Sequence, residues 1–291
     1  MKVAIRGTRL FVDVEGAAWR WQGARVWHAP PLFVLHGGPG GNHLDLKHSL
    51  GFLQRWFQLF FVDQRGCGFS GRCPKRTLTI QNNAADIEAL RRTLGFETIS
   101  IAGVSYGGMV TCEYAARYPN RVGRLFLLGT TGSGAFLQAA QEYLREHGSP
   151  EQVRAAERLW RGAFRSQMQL RRFFEVLGPL YSRKFSLKTF HRTKRKVPMN
   201  LAALNRGFRD VLPGWNALPK LRRVKAPTFV AVGKHDWICP VSQSVALTRH
   251  LPNATLKVYR NSAHAPQVDE PARFQRDVAA FVHATRKSGR A

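Results

Sequence analysis

The chain has 291 residues, of which 44% are hydrophobic, so it is long enough to bury a full core and is not expected to be disordered. Its formal net charge of +27 would attract polyanions, but the basic residues are spread along the whole chain and no helix-turn-helix, RNP or zinc-finger pattern accompanies them. We therefore expect no specific nucleic-acid partner.

The N-terminal residues 2–14 alternate between apolar and polar side chains around Gly7, which predicts a β-hairpin. Apolar runs bounded by Gly, Pro or polar turns are typical of buried strands, and they occur at 32–35, 59–62, 99–104, 125–128, 228–232 and 255–259. Helix-like stretches occupy 44–55, 81–94, 106–118, 240–250 and 269–285. Strands that alternate with helices predict an α/β protein with a mostly parallel, doubly wound sheet covered on both faces.

The alternation stops between about residues 132 and 219, where the sequence is helical, basic and aromatic. We predict that 132–219 form an inserted helical cap and that 1–131 and 220–291 together form the core. Because the insertion lies between two strands, the cap should cover the end of the sheet where strand-to-helix loops gather and ligands bind. The aromatic residues expected on its underside, as part core and part apolar substrate wall, are Trp160, Phe164, Phe173, Phe174 and Trp215.

Residues 103–107 read GVSYG, directly after an apolar strand and directly before a helix. This is the context of a nucleophile elbow, in which a serine hydroxyl is exposed at a tight strand-to-helix turn. Gly103 and Gly107 would permit the close backbone approach that such a turn requires. A chance GxSxG in a loop would lack the flanking elements, so the pattern predicts Ser105 as a nucleophile.

A serine hydroxyl is a weak nucleophile at neutral pH, so a base must accept its proton and a carboxylate must orient the base. Asp236 and His264 each come just after a predicted strand, and they follow Ser105 in that order along the chain. We predict His264 as the general base and Asp236 as its orienting carboxylate. His235 is the nearest rival base, but a neighbour of Asp236 in sequence should point to the opposite face.

The sequence HGGPG at 36–40 follows the first parallel strand. An acyl-transfer intermediate needs two preset donors for its oxyanion, and a glycine-rich backbone can approach the substrate closely. The expected donors are the backbone N–H groups of Gly38 and of Tyr106, the residue after the nucleophile, while Gly37 is expected to contact substrate. A plain Gly/Pro turn would explain a break in the strand but not three glycines with a proline.

Five segments together resemble the prolyl iminopeptidase family of α/β-hydrolases, peptidase family S33: HGGPG at 36–40, DQRGCGFSG at 63–71, GVSYGG at 103–108, GKHD at 233–236 and SAHAPQVDEP at 262–271. HGGPG together with DQRGxGxS is the more specific part, because the serine, Asp and His segments are shared by the superfamily. The resemblance covers nearly the whole chain outside the cap. It implies the α/β-hydrolase fold, the triad of Ser105, Asp236 and His264, and a bracing role for residues 63–66.

The cap departs from that family's pattern. Members that remove an N-terminal proline hold the substrate's α-ammonium with acidic cap residues, as the resemblance implies, and a buried cation needs such a partner. The acidic residues of this cap are few, namely Glu142, Glu146, Glu151, Glu157, Glu175 and Asp210. Helical spacing pairs Glu142 with Arg145 and Glu157 with Arg161, which favours solvated ion pairs over substrate contacts.

Residues 183–196 interleave seven Arg or Lys residues with aromatic ones. This stretch would suit a carboxylate, a phosphate or a polyanion, although a solvated basic surface is the preferred interpretation. The four cysteines, at 67, 73, 112 and 239, form neither a disulfide framework nor a metal-binding pattern. Cys67 and Cys73 would pair only if one loop brought them together, and two reduced thiols are preferred. No metal or organic cofactor is implied.

The leading hypothesis is an acyl-enzyme hydrolase, similar to prolyl iminopeptidases, that releases a small N-terminal proline or alanine from short peptides. A carboxylesterase or lactonase acting on small esters, carboxylate-bearing ones included, fits the same machinery, because the triad sets the chemistry and the cap sets the acyl group. A non-catalytic binding protein is the remote alternative. No apolar run approaches the about 20 residues that span a bilayer, and no signal-peptide pattern opens the chain, so we expect a cytoplasmic protein.

Overall fold

The structure is a computed structural model, and it describes residues 1–188, 190 and 197–286. Its strands are β1 (Lys2–Ile5), β2 (Thr8–Glu15), β3 (Trp19–Gln22), β4 (Arg25–His28), β5 (Pro31–Leu35), β6 (Gln58–Val62), β7 (Ile99–Val104), β8 (Val122–Leu128), β9 (Thr228–Gly233) and β10 (Ala254–Tyr259). Its helices are α1 (Leu44–Leu50), α2 (Ile80–Thr93), α3 (Tyr106–Arg117), α4 (Phe136–His147), α5 (Pro150–Trp160), α6 (Gln167–Tyr181), α7 (Leu201–Arg206), α8 (Leu218–Leu221), α9 (Val241–His250), α10 (Pro266–Asp269) and α11 (Pro271–Arg286). Short 3₁₀ segments also occur at Gly51–Arg55, Lys75–Thr77 and Pro119–Arg121, and a π-helical turn at Gly207–Val211.

Within the described residues, eight strands form one sheet in the order β1-β2-β6-β5-β7-β8-β9-β10. Neighbours from β6 to β10 run parallel, whereas β1 pairs antiparallel with β2 and β2 with β6. Strands β7 and β9 are buried throughout, which is why they are uninterrupted apolar runs instead of alternating ones. The α/β fold and the N-terminal hairpin predicted from the sequence are confirmed.

Successive side chains of a strand point to opposite faces of the sheet, so each face carries its own hydrophobic layer. On β5, Phe33 and Leu35 face the layer that also contains residues of α2 and α3, such as Ile87 and Val110. Leu32 and Val34 face the opposite layer, which α1 and α11 cover. Helices therefore lie on both sides of the sheet, as the βα alternation predicted.

The described residues between β8 and β9 carry α4 to α8 and no strand of the sheet. Two of these helices begin at serine N-caps: Ser149 forms a capping box with Gln152, and the Ser166 side chain accepts the N–H of Gln169. This helical content agrees with the predicted cap, whose limits at 132 and 219 remain a prediction. Of the basic stretch at 183–196, residues 189 and 191–196 lie outside the described residues.

A second, two-stranded sheet was not predicted. Strands β3 and β4 pair antiparallel, with Trp19 opposite His28 and Trp21 opposite Val26. Gly23 supplies the positive φ, 58°, that the connecting turn requires. Among the described helices, none has the length and apolar character to cross a bilayer.

Candidate active site

Ser105 occupies the single-residue bend between β7 and α3. Its backbone has φ 54° and ψ −121°, a conformation that costs a non-glycine residue about 1–3 kcal/mol. Hydrogen bonds hold it there: its N–H donates to the Leu128 carbonyl at 2.9 Å, and its own carbonyl accepts the Gly108 N–H at 2.8 Å and the Thr130 hydroxyl at 2.7 Å. The bend thus presents the Ser105 side chain at the end of the helix instead of within it.

The two glycines of the motif allow α3 to pack directly against the sheet. A Cβ at Gly103 would clash with the Gly107 carbonyl, and one at Gly107 would clash with the Leu35 carbonyl. Larger residues at either position would push the helix away from β5 and β7. This contact sets the position of Ser105 relative to the loop that follows β5.

The loop after β5 meets Ser105 where the strand order reverses. The chain passes from β5 to β6 on one side and then returns to β7 on the other, and ligands bind at such switch points in parallel sheets. A Cβ at Gly37 would lie 3.1 Å from the Ser105 Cβ and 3.7 Å from its Oγ. Gly38 and Tyr106 line the same cavity as Ser105, and Tyr106, as the first residue of α3, has an N–H without a partner inside the helix.

Asp236 and His264 are joined by a hydrogen bond, with His264 Nδ1 2.9 Å from Asp236 Oδ2. The Asp236 side chain is fully buried, and its Oδ1 accepts the N–H groups of Ile238 at 3.1 Å and Cys239 at 2.9 Å. A buried carboxylate with these three partners is satisfied as an anion, so it can hold the imidazole in one orientation. His264 lines the same cavity as Ser105.

This cavity has a volume of about 300 Å³ and lies between the strand ends and the helices after β8. Its polar floor contains Ser105, His264 and the Gly37–Gly38 backbone. Its walls are almost entirely apolar, formed by residues that include Met109, Phe136, Leu159, Leu170, Phe173, Phe174, Met199, Leu204, Phe208 and Leu212. A nucleophile candidate, a base candidate and an apolar cavity therefore meet at one place.

A family model described as alpha/beta hydrolase fold matches residues 30–271. The chain belongs to the α/β-hydrolase family. The expected assignment to hydrolytic enzymes of this fold is thereby confirmed.

Relatives of this α/β-hydrolase carry different substrate names. The proline iminopeptidase PfmaB of Pestalotiopsis fici is 29% identical over 266 residues, which cover 89% of this chain and 94% of that protein. A 2-hydroxy-6-oxo-6-phenylhexa-2,4-dienoate hydrolase of Comamonas testosteroni is 26% identical over 260 residues, covering 86% and 87%. The crystal structure of a proline iminopeptidase from Mycobacterium smegmatis superposes with a TM-score of 0.78 at 23% identity, covering 99% of both chains, and shows the shared fold. The resemblance to prolyl iminopeptidases is confirmed, and the substrate of this α/β-hydrolase stays open.

Three aromatic residues expected in the substrate wall lie elsewhere in this α/β-hydrolase. Trp160 packs on Trp237, with ring centroids 5.8 Å apart, and Phe164 packs edge-on against Phe173 at 5.5 Å. Trp215 is buried, and its indole N–H donates to Glu113 Oε2 at 2.9 Å. None of these three residues lines the cavity of the described structure, and each contacts other side chains of the protein instead.

Other aromatic residues take that place. Phe136 and Phe208 line the cavity although the sequence analysis did not single them out, and Phe173 and Phe174 do so as expected. Tyr181 also lines it, with its ring edge-on to the His264 imidazole at a centroid distance of 5.5 Å. Burial raises the pKa of the Tyr181 hydroxyl, and the Asp236 charge adds to this, so the phenol stays neutral beside the imidazole.

Acidic residues are scarce around the cavity. All 18 Asp and Glu residues of the chain are among those described, and Asp45, exposed at the rim, is the one that lines the cavity. The acids of the helices between β8 and β9 are exposed. Glu157 lies 3.6 Å from Arg161, and Glu142 accepts from Gln138 at 2.8 Å instead of from the expected Arg145. No carboxylate of the helices after β8 is therefore placed to hold a substrate ammonium within the described cavity.

A second nucleophile candidate, Cys239, lines the cavity next to Asp236. Burial raises the pKa of its thiol well above the ordinary value, and the Asp236 charge raises it further. A thiol held protonated is a poor nucleophile, so Ser105 is the better nucleophile candidate of the two. Cys67 and Cys73 are free thiols, and the described residues contain no cluster of three or more His, Cys, Asp or Glu suited to a metal.

Hydrogen bonds and an ion pair fix the segment 63–66. Buried Asp63 accepts the backbone N–H and the Nδ1–H of His43, at 2.8 and 2.9 Å, and the N–H of Phe69 at 2.8 Å. Burial raises the pKa of Asp63, but the His43 hydrogen bond and the other contacts outweigh it, so the net pKa is lowered. Arg65 forms a bidentate pair with Asp86, at 2.7 and 2.6 Å. These contacts tie the loop after β6 to its neighbours and leave its side chains outside the cavity.

Proposed function

We propose that this α/β-hydrolase cleaves small esters and amides of an apolar, uncharged acyl group through an acyl-enzyme on Ser105. The observation that carries the proposal is the apolar cavity above Ser105, which contains one carboxylate, Asp45, and that one at its exposed rim. Enclosing an ammonium in such a space costs several kcal/mol unless an anion pairs with it. An uncharged acyl group gains from the same walls without that cost.

In the proposed reaction, Ser105 Oγ attacks the substrate carbonyl carbon while its proton passes to His264 Nε2. The backbone N–H groups of Gly38 and Tyr106 stabilise the resulting oxyanion. Collapse of the tetrahedral intermediate breaks the bond to the leaving group, which takes the proton from His264, and the acyl group stays on Ser105. Water then attacks this ester and gives one proton to His264. When the second tetrahedral intermediate collapses, the bond to Ser105 Oγ breaks, Ser105 Oγ takes that proton back from His264, and the acid is released. Asp236 keeps the imidazole oriented throughout.

A matched set of substrates tests the acyl preference. Proline p-nitroanilide and cyclopentanecarbonyl p-nitroanilide have nearly the same shape and differ by one ring ammonium, and p-nitrophenyl cyclopentanecarboxylate presents the uncharged acyl group as an ester. The proposal predicts a higher kcat/KM for the uncharged anilide than for the proline compound, and the highest for the ester. A higher kcat/KM for proline p-nitroanilide would contradict it. The Ser105→Ala variant serves as the blank for each substrate.

Aminopeptidase activity on an N-terminal proline is the second candidate. It is favoured by the HGGPG and DQRG segments and by the likeness to the P. fici proline iminopeptidase. In that case Asp45, the one carboxylate that lines the described cavity, would meet the substrate ammonium. The Asp45→Asn variant would then raise KM for proline p-nitroanilide and leave KM for the cyclopentanecarbonyl compound unchanged, whereas equal effects on both would exclude this role.

A further inference from the structure

The outer face of the β3–β4 hairpin displays large apolar side chains to solvent. Trp19 is 61% exposed, Trp21 74% and Val26 62%. Alternate residues on one strand and directly paired residues on the next share a face, so these three side chains and His28 form one surface. We call these four residues the Trp face. Contiguous exposed apolar side chains of this kind mark interaction surfaces far more often than isolated ones do.

The opposite side of the hairpin attaches it to the body of the protein. Arg20, which alternates with Trp19 and Trp21, donates to the carbonyls of Arg55 and Phe57, each at 3.2 Å, and to that of Gln54. The Ala29 N–H donates to the Ala18 carbonyl at 2.7 Å, closing the base of the hairpin. The contacts that attach the hairpin lie on its other side and at its base. The Trp face is therefore exposed to solvent, and its shape does not depend on a bound partner.

The charge around the hairpin is positive. Residues 16–30 contain no Asp or Glu, in a chain of net charge +27. The two arginines of this segment, Arg20 and Arg25, lie on the side of the hairpin opposite the Trp face, so they flank it from behind. The nearest preceding acid, Glu15, is paired with Lys47 at 2.7 Å. Indole rings concentrate at the boundary between lipid headgroups and acyl chains, and a strongly positive net charge attracts a protein to anionic headgroups.

We propose that the Trp face docks onto an anionic lipid bilayer surface, with the two indoles and Val26 entering the interfacial layer. Val26 favours a lipid surface over a single-stranded nucleic acid, because an aliphatic side chain adds to burial in lipid but offers no ring on which a base can stack. The hairpin precedes the start of β5 and contacts residues just before β6, so it lies at the end of the sheet opposite Ser105. Docking therefore leaves the cavity open, and the proposal does not depend on the substrate.

Co-sedimentation of the full chain with vesicles tests this proposal. We expect binding to vesicles of equal parts phosphatidylcholine and phosphatidylglycerol, and little binding to phosphatidylcholine alone. The double variant Trp19→Ser/Trp21→Ser should bind the anionic vesicles at least about tenfold more weakly, since two interfacial anchors are removed. The control is Met168→Ser, which removes a single apolar side chain that is 76% exposed on α6 and should leave binding unchanged. A melting temperature close to that of the unaltered chain reports that each variant is folded.

Equal binding by the double variant, or no binding by the unaltered chain, would overturn the proposal. Loss of binding to single-stranded DNA in the double variant, without any vesicle binding by the unaltered chain, would assign the Trp face to nucleic acid instead. If the double variant does not fold, vesicles with brominated acyl chains provide a second test on the unaltered protein. Quenching of its tryptophan fluorescence by brominated anionic vesicles supports the proposal, and unchanged fluorescence contradicts it.

Discussion

His264 Nδ1 lies 2.9 Å from Asp236 Oδ2, although the two residues are 28 positions apart in the chain. They meet because β9 and β10 are parallel neighbours, so the loops after them leave the same edge of the sheet. The other carboxylate oxygen is occupied by the N–H groups of Ile238 and Cys239. Oδ2 is thus reserved for the imidazole, which donates Nδ1–H to it and presents Nε2 as the basic atom.

This arrangement predicts the effect of Asp236→Asn. The amide oxygen can still accept from Ile238 and Cys239, which leaves the NH₂ group facing His264 and favours the tautomer with the proton on Nε2. We expect kcat for the ester to fall by about 10⁴-fold, with little change in melting temperature. Steady-state kinetics measure the loss. The control is His235→Asn, a change at the half-buried neighbouring residue, which should keep near-normal turnover. Near-normal turnover in Asp236→Asn would place the orienting carboxylate elsewhere.

Gly37→Ala should reduce activity without unfolding the protein. The new methyl group would lie 3.1 Å from the Ser105 Cβ and 3.3 Å from the Val104 carbonyl, which is tight but requires only small shifts. It would occupy space beside the hydroxyl where a substrate carbonyl must approach, so we expect at least about a tenfold lower kcat/KM. The matched control is Gly214→Ala, whose added methyl group meets no heavy atom within 4 Å. If both variants retain full activity, the approach to Ser105 does not pass Gly37.

Asp269 connects the histidine loop to the segment after α6. Its Oδ2 accepts the Ala263 N–H at 2.9 Å, and its Oδ1 accepts the Ser182 hydroxyl at 2.5 Å and the Lys184 N–H at 3.3 Å. Asp269→Asn turns an NH₂ group toward one set of these donors, and we expect the free energy of unfolding to fall by about 1–3 kcal/mol.

Denaturant titration measures this loss, with Glu157→Gln as the control. That substitution removes an exposed ion pair with Arg161 and should cost under about 1 kcal/mol. Equal stabilities for the two variants would show that Asp269 does not link these segments.

The lowered pKa of Asp63 predicts how stability depends on pH. Because the folded protein holds this carboxylate below its ordinary pKa of 3.8, its contribution is complete above that value and is lost as the pH falls below it. Unfolding free energies measured from about pH 6 down to about pH 2 should therefore fall more steeply for the unaltered chain than for Asp63→Asn. Parallel curves would show that this carboxylate does not contribute to acid sensitivity.

The strands and helices of the core were predictable because each buried strand is an apolar run ended by Gly, Pro or polar residues. The hairpin at 19–28 was missed because its Trp and Val side chains face solvent, so they do not alternate with polar residues against a core. The exposed edge of such a hairpin carries no burial pattern. The signal that was available is the Gly23-Ala24 turn between two short segments that contain tryptophan.

Candidate catalytic residues were easier to find than substrate contacts. Ser105, Asp236 and His264 each follow a strand, and the ends of parallel strands converge whatever the helices between them do. Trp160 and Trp215 were expected in the wall because they are aromatic and lie in the inserted helices. The sequence does not show which side of a helix meets another helix and which meets the cavity. The indole N–H of Trp215 donates to Glu113, 102 positions earlier in the chain, and the sequence does not reveal this pairing.

Labelling with a fluorophosphonate probe tests the central claim, that Ser105 is an activated nucleophile, most directly. The account predicts that the unaltered protein is labelled, that the modified peptide contains Ser105, and that Ser105→Ala is not labelled although it melts at nearly the same temperature. An unaltered, folded protein that takes up no probe, or labelling that persists at full strength in Ser105→Ala, would contradict it.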